Sequence, residues 1–335
     1  MKIAIVKLSA LGDIVHAMVV LQFIKKYNQS VEIDWIVEES YKELLEFNPN
    51  VRRVHVVNIK KAKQKKSIYL FVSELKKMRM IGPYDLVVDM QGLFKSALIA
   101  RLIPSKITLG FNRSSIRESI ASFFYNKTFI YGYAENVIER NIALISCALE
   151  IDINPQEIIS KSSFLYSSQK YLTDNLSTSK KNILLIPGAS HNSKCYPEDK
   201  LAKLANLLDA NFLITWGDLD EKKMAEKIKV KAPNVVICER LSIDSLISLI
   251  ARVDLVIGPD TGPTHMAWAL CIPSITLFGA TPGYRNASVS QNNRIIESKS
   301  EVNPFKINKN DFSIQDIDVQ DILKVSKELL KQSSV

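Results

Sequence analysis

Cysteine is scarce in this chain: Cys147, Cys195, Cys238 and Cys271 are the only four in 335 residues, widely spaced and without a C-x-x-C pair. That spacing argues against a disulfide framework or a zinc ribbon and suits reduced thiols in a cytosolic protein. Long apolar runs are missing too. No stretch approaches the ~20 residues that cross a bilayer. The amino terminus carries no secretory pattern, because Ile3 to Val6 is too short and Lys7 follows at once. Histidine is rare as well: His16, His55, His191 and His265 make no H-x-x-x-H or H-E-x-x-H pair. No bound catalytic metal is therefore expected.

What remains is ordinary globular material, 47% hydrophobic and 24% charged, enough for about two domains. The net charge of +9 favours an acidic partner: nucleic acid, an anionic membrane face or a phosphorylated substrate. Short apolar runs alternate with helical patterns along the chain. Strands are expected at 2–6, 33–37, 54–57, 86–89 and 107–111, with helices over 14–27 and 135–149. Serines cluster between Ser160 and Lys181, where a linker is expected. The alternation then restarts, with strands at 182–186, 212–215, 235–238, 255–257 and 275–278 and a closing amphipathic helix over 316–331. This pattern is α/β: two doubly wound halves, each opening on a strand, whose ligands bind beyond the carboxyl ends of the strands.

Four stretches at those ends could carry chemistry. Asp254 to Ala269 reads DLVIGPDTGPTHMAWA: strand, glycine turn and helix start, which aims backbone N–H groups and the positive helix end at one point. It spells neither a Walker A loop nor G-x-G-x-x-G. Asp260 and His265 stand beside that point, although Asp260 or Thr261 could equally be a helix cap. The loop Lys7-Leu8-Ser9-Ala10-Leu11-Gly12-Asp13 follows the first strand, and Asp13 there is either a general base or a cap. With Gly12 as its one glycine, the loop does not suit a dinucleotide pyrophosphate. The loop Pro187 to Pro197 offers Ser190 and Lys194 to a phosphate. Trp216 to Glu221 offers Glu221 to a ribose hydroxyl, or to a helix start.

Asp218-Leu219-Asp220 spells D-x-D, but so does Asp316-Ile317-Asp318, so the match carries little weight. The run Lys60-Lys61-Ala62-Lys63-Gln64-Lys65-Lys66 reads as a solvated loop after a strand, placed to meet an acidic acceptor or anionic headgroups. No aromatic residues interleave it, so nucleic acid is not expected.

Three segments, IVKLSALGDIVHA, GPDTGPTHMAWAL and LFGATPG, resemble the ADP-heptose–lipopolysaccharide heptosyltransferases, and the form of the first is most similar to the heptosyltransferase I branch. The resemblance implies a GT-B architecture: two Rossmann-like domains, 1–165 and 181–315, facing across a cleft, with a C-terminal helix (316–335) packing back toward the first. It implies inverting, metal-independent transfer of heptose from ADP-heptose to the Kdo of Kdo-lipid A, with no cofactor, at the cytoplasmic face of the inner membrane. By position, Asp13 matches the base, and Lys194 is both catalytic and the donor-phosphate lysine. Ser190, Glu221, Asp260, Thr261, Gly262, Thr264 and His265 complete the donor site. Lys7, Ser9, Gly12, Lys60, Lys61 and Lys63 fall to the acceptor. Pro263 has no N–H, so the phosphate turn must use Thr261, Gly262 and Thr264. Cys195 stands where an aromatic residue is often found. Heptosyltransferase II and a non-catalytic nucleotide-sugar binding protein are the alternative readings.

Overall fold

A computed structural model describes residues 1–168 and 175–332. Residues 169–174 of the serine-rich linker, and the last three of the expected C-terminal segment, lie outside the described residues. The chain divides into two compact units, Met1–Ser160 and Lys161–Val335.

The first unit is built on six parallel strands: β1 (Lys2–Val6), β2 (Glu32–Glu38), β3 (Arg53–Val57), β4 (Tyr84–Asp89), β5 (Ser105–Phe111) and β6 (Lys127–Phe129), in the order β3-β2-β1-β4-β5-β6. Ile3 and Ile5 of β1 lie beside Ile33 and Trp35 on one flank and Leu86 and Val88 on the other. All six are buried, as expected of a central strand covered on both faces by helices. The strand order reverses between β1 and β4, so the loops that leave these two neighbouring strands lie side by side at their carboxyl ends.

The second unit repeats the design with β7 (Asn182–Leu185), β8 (Asn211–Ile214), β9 (Val235–Ile237), β10 (Leu255–Pro259), β11 (Ser274–Phe278) and β12 (Asn293–Glu297), ordered β12-β11-β10-β7-β8-β9. Its reversal falls between β7 and β10. The helix Val319–Gln332, expected to pack back toward the first domain, has its apolar stripe of Val319, Ile322, Leu323 and Leu329 in the core of this second unit.

Sequence periodicity did not indicate β6 or β12. Both are edge strands with half-exposed side chains, and they lack the apolar run that marks a central strand. The single helix expected over 14–27 begins earlier, at Leu11, and runs as Leu11–Met18 and Val20–Tyr27. Val19 between them keeps right-handed helical angles, so the two are nearly continuous. The lysine run is not a loop but a helix, Ile59–Gln64, seated by buried Ile59 and Ala62.

One buried group shapes the first unit's switch point. Asp89 ends β4 fully buried. Its carboxylate accepts from the N–H groups of Gln91 (2.8 Å) and Gly92 (3.2 Å), from Ser96 Oγ (2.8 Å) and from Tyr125 OH (2.7 Å). Burial pushes its pKa up, while those four donors pull against the shift. Tyr125 reaches Asp89 across Gly110 of β5, where a Cβ would lie 2.3 Å from the ring. Tyr125→Phe should therefore lower the unfolding free energy by about 1.5–3 kcal/mol, the scale of a hydrogen bond to a charged group. Urea unfolding followed by circular dichroism measures it, and a midpoint equal to wild type would show that Asp89 does not depend on this hydroxyl.

Candidate active site

In the second unit the loops leaving β7 and β10 meet at the reversal of strand order. The β7 loop turns through Gly188 and ends in a short 3-10 turn, Asn192–Lys194, that buries the Lys194 side chain. The β10 loop delivers Asp260. Lys194 Nζ donates to Asp260 Oδ2 at 2.7 Å, and both residues are less than 10% exposed. His265 Nε2, facing the other oxygen at 2.9 Å, must carry its proton there to donate. Thr281 Oγ1 (2.8 Å) and Asn286 Nδ2 (3.3 Å) also donate to Oδ2.

Asp260 is thus no helix cap but the acceptor for four side chains. Burial alone would raise its pKa. The Lys194 charge and the His265 hydrogen bond outweigh that and hold the carboxyl well below the usual carboxylate range.

The helix Gly262–Ala269 starts two residues on. Thr261 is its N-cap residue by backbone angles but makes no side-chain cap bond. Amides in a first turn have no partner within the helix, and Pro263 supplies none, which leaves Gly262 and Thr264 as the donors there. Close packing beneath this start depends on Gly258. A Cβ there would lie 2.7 Å both from Ile186 Cβ and from Thr264 Oγ1. Thr264 Oγ1 and Ser193 Oγ are buried with no hydrogen-bond partner among the described residues. A phosphate oxygen would satisfy such hydroxyls, so the residues present fit an anion.

Glu221 packs against the same β7 loop. Its Oε2 accepts from the Gly217 N–H at 2.6 Å, and a Cβ on Gly188 would lie 2.1 Å from its Oε1. Ser190 is exposed and outside the buried group. Asp218 caps the helix Leu219–Lys231 by accepting from Asp220 and Glu221 N–H. That consumes the D-x-D pattern as a capping device. No group of three or more His, Cys, Asp or Glu side chains able to hold a metal occurs among the described residues.

In the first unit, Asp13 sits at the third position of the helix Leu11–Met18, not at its cap. It is exposed, and its Oδ2 accepts from the Ala10 N–H at 3.2 Å. Gly12 lies inside that first helical turn. Lys7 is buried, with Nζ donating to the Met90 carbonyl at 3.1 Å, which ties the β1 loop to the β4 loop. The N–H of Ser9 is held by Gln91. Lys60, Lys61 and Lys63 are exposed on their helix, beyond the carboxyl end of β3.

Sequence reasoning missed Thr281, Asn286 and Gln91. Thr281 was within reach, since it follows β11 in the GATPG segment at the same sheet edge. Asn286 and Gln91 carry no periodic signal and are found only through their partners.

Two doubly wound units, one presenting a buried lysine–carboxylate pair beside a helix start, have the architecture of the GT-B glycosyltransferases. A family model for glycosyltransferase family 9 (heptosyltransferase) matches residues 73–312, and the chain belongs to that family. It is 38% identical to lipopolysaccharide heptosyltransferase 1 of Campylobacter coli, over 98% of this chain and 99% of that protein. The fold is shared with E. coli heptosyltransferase WaaC solved with ADP (TM-score 0.81, 23% identity, 98% of this chain and 100% of that one). It is shared also with the same enzyme solved with ADP-2-deoxy-2-fluoro heptose (TM-score 0.78, 23% identity, 98% and 99%).

Asp260→Asn should destabilise the protein by about 3–5 kcal/mol near neutral pH, because Lys194 is left buried without its counter-charge. The carboxyl is depressed in the folded state. Its contribution is therefore present above the unfolded pKa of about 4 and is lost as pH falls below it. The difference between wild type and variant, read from urea unfolding across pH 3 to 7 (roughly the range bracketing that pKa), should shrink toward the acid end.

Proposed function

We propose that this enzyme transfers L-glycero-D-manno-heptose from ADP-heptose to the Kdo of Kdo-lipid A, with inversion, in assembly of the lipopolysaccharide inner core. The observation that carries the reading is the buried Lys194–Asp260–His265 group beside the first turn of Gly262–Ala269. The near full-length likeness to a lipopolysaccharide heptosyltransferase 1 supports it. So do the ligands with which the WaaC structures were solved, ADP and a fluorinated ADP-heptose.

Lys194 has three N–H donors, and one is engaged by Asp260. The other two, with the Gly262 and Thr264 amides, meet the diphosphate. Glu221 holds the ribose, and Asp260 and His265 lie toward the sugar. Asp13 takes the proton from the acceptor hydroxyl as its oxygen bonds to the anomeric carbon. The bond from that carbon to the diphosphate breaks, and its electron pair leaves with ADP. Charge growing on the leaving group is met by fixed donors already in place, the type of stabilisation that is worth most in a site sheltered from water. No metal is needed for this step. Lys7, Ser9 and Gly12 shape the acceptor side. The enzyme works on the cytoplasmic face of the inner membrane as a peripheral protein; none of its described helices is long and apolar enough to cross a membrane.

Transfer assayed in EDTA with ADP-heptose, against Kdo-lipid A and its heptosylated form, tests the reading. Turnover is expected with the first acceptor; turnover only with the second would make the enzyme a heptosyltransferase II. Asp13→Asn should lose about 10²–10⁴-fold in kcat while binding ADP normally. Lys194→Ala should bind ADP more weakly by calorimetry and transfer more slowly.

The exposed lysines supply a separate expectation. Replacing Lys60, Lys61, Lys63, Lys65 and Lys66 by Gln should raise the acceptor KM and leave the ADP-heptose KM alone. Each lysine near an anionic surface contributes about 1 kcal/mol, screened over roughly a Debye length. The wild-type acceptor KM should accordingly rise with salt more steeply than that of the variant.

A further inference from the structure

Gln91 stands two residues beyond β4, on the turn held by Asp89. Its Oε1 accepts from the Leu8 N–H (3.1 Å) and from the Ser9 N–H (3.2 Å), so one side-chain oxygen spans the switch point between β1 and β4. Only the oxygen of a carboxamide can accept, and this fixes which way the amide is turned: the NH₂ group faces away from those two amides. Among the described residues Nε2 has no acceptor, and it is absent from the buried polar atoms that lack partners, so solvent reaches it. The backbone beneath is equally fixed, since the Gln91 N–H is bound to Asp89 and Lys7 Nζ holds the neighbouring Met90 carbonyl. The result is a pre-oriented pair of N–H donors at the edge that carries the Asp13 loop.

We propose that Gln91 is a substrate-binding residue, which anchors the loop leading into the Asp13 helix through Oε1 and donates from Nε2 to the carboxylate of the acceptor sugar. A carboxylate fits better than a hydroxyl, because hydrogen bonds to a charged acceptor are stronger and the buried Lys7 spends a donor on a backbone carbonyl. The inference rests on the proposed transfer to an acidic sugar, and it adds a residue that sets acceptor specificity.

Gln91→Glu separates the two roles. Glutamate keeps an oxygen for the Leu8 and Ser9 amides but replaces the free donor with an anionic oxygen. The acceptor KM should rise about tenfold or more, the range of one hydrogen bond to a charged group. The ADP-heptose KM should stay as in wild type. Gln91→Met, which lacks both functions, should lower kcat as well. Asp13→Asn is the contrast, losing kcat with an unchanged acceptor KM. Circular dichroism and melting temperature establish that each variant is folded.

Calorimetric titration with Kdo-lipid A in the absence of donor gives a second reading that does not need turnover. Weaker binding by Gln91→Glu than by wild type supports the proposal. Equal acceptor KM and equal Kd would overturn it and leave Gln91 as a loop anchor. Wild type that binds Kdo-lipid A without transferring heptose would sink the transfer reading alone, with the Gln91 comparison still legible from the titration. Wild type that does not bind it overturns both.

Discussion

The second unit depends on one buried carboxylate. Asp260 is taken out of water at the end of β10, where an isolated charge would be costly or would neutralise itself. It stays ionised because Lys194, His265, Thr281 and Asn286 all converge on it. Those four donors come from the loop after β7, the helix after β10 and the segment after β11. A single anion therefore fixes the relative placement of three separate loops at the carboxyl edge. It also keeps a lysine charge in a buried position that the lysine could not hold alone. A buried pair of this kind is weak as a source of net stability, since desolvation offsets most of the attraction. Its value here is geometric, because it holds a cation ready beneath a helix start.

The first unit solves the same problem differently, because the described hydrogen-bond donors to its organising carboxylate are all uncharged. Asp89 occupies the corresponding place at its own switch point and is satisfied by two backbone amides and two hydroxyls. What it holds is backbone: the Met90 carbonyl that receives Lys7, and the Gln91 side chain that receives Leu8 and Ser9. The two units thus use one topology with two electrostatic designs. One buries a lysine charge beside a helix start. The other presents an exposed carboxylate, Asp13, in the first turn of a helix whose preceding loop is braced from behind.

The order of these elements could be read from the chain because central parallel strands are buried on both faces and leave continuous apolar runs. Ile3 to Val6 and Leu255 to Ile257 are of that kind, and each ends where its functional loop begins. The positions of Asp13, Lys194, Asp260 and His265 beyond such strands were legible for that reason, since the carboxyl edge of a strand can be located from its apolar run. Edge strands such as Lys127–Phe129 were not legible, because half-exposed residues carry no apolar signature. The lysine run was misread as a loop because charge density masks the two buried positions, Ile59 and Ala62, that seat it as a helix. Ser190, offered to a phosphate as part of a polar, glycine-containing loop after a strand, is exposed ahead of the 3-10 turn that buries Lys194.

Side-chain pairing is the part that sequence does not encode locally. Lys194 and Asp260 are 66 positions apart, and Gln91 lies 83 positions from Leu8, yet both contacts cross a point where strand order reverses. This follows from the topology. At a switch point the first strand of a unit lies beside its fourth, so the loops that follow them are neighbours in space while distant in the chain. Any residue that must bridge them has to come from one of those two loops and reach the other with a polar side chain of sufficient length. Lysine and glutamine satisfy that requirement: Lys194 at the second unit's switch point, Gln91 with Lys7 at the first. The lysine carries its charge to a carboxylate that tolerates burial only in its company. The glutamine carries an oxygen to two amides and keeps its nitrogen in reserve, which places a donor of fixed direction beside the loop that leads into the Asp13 helix.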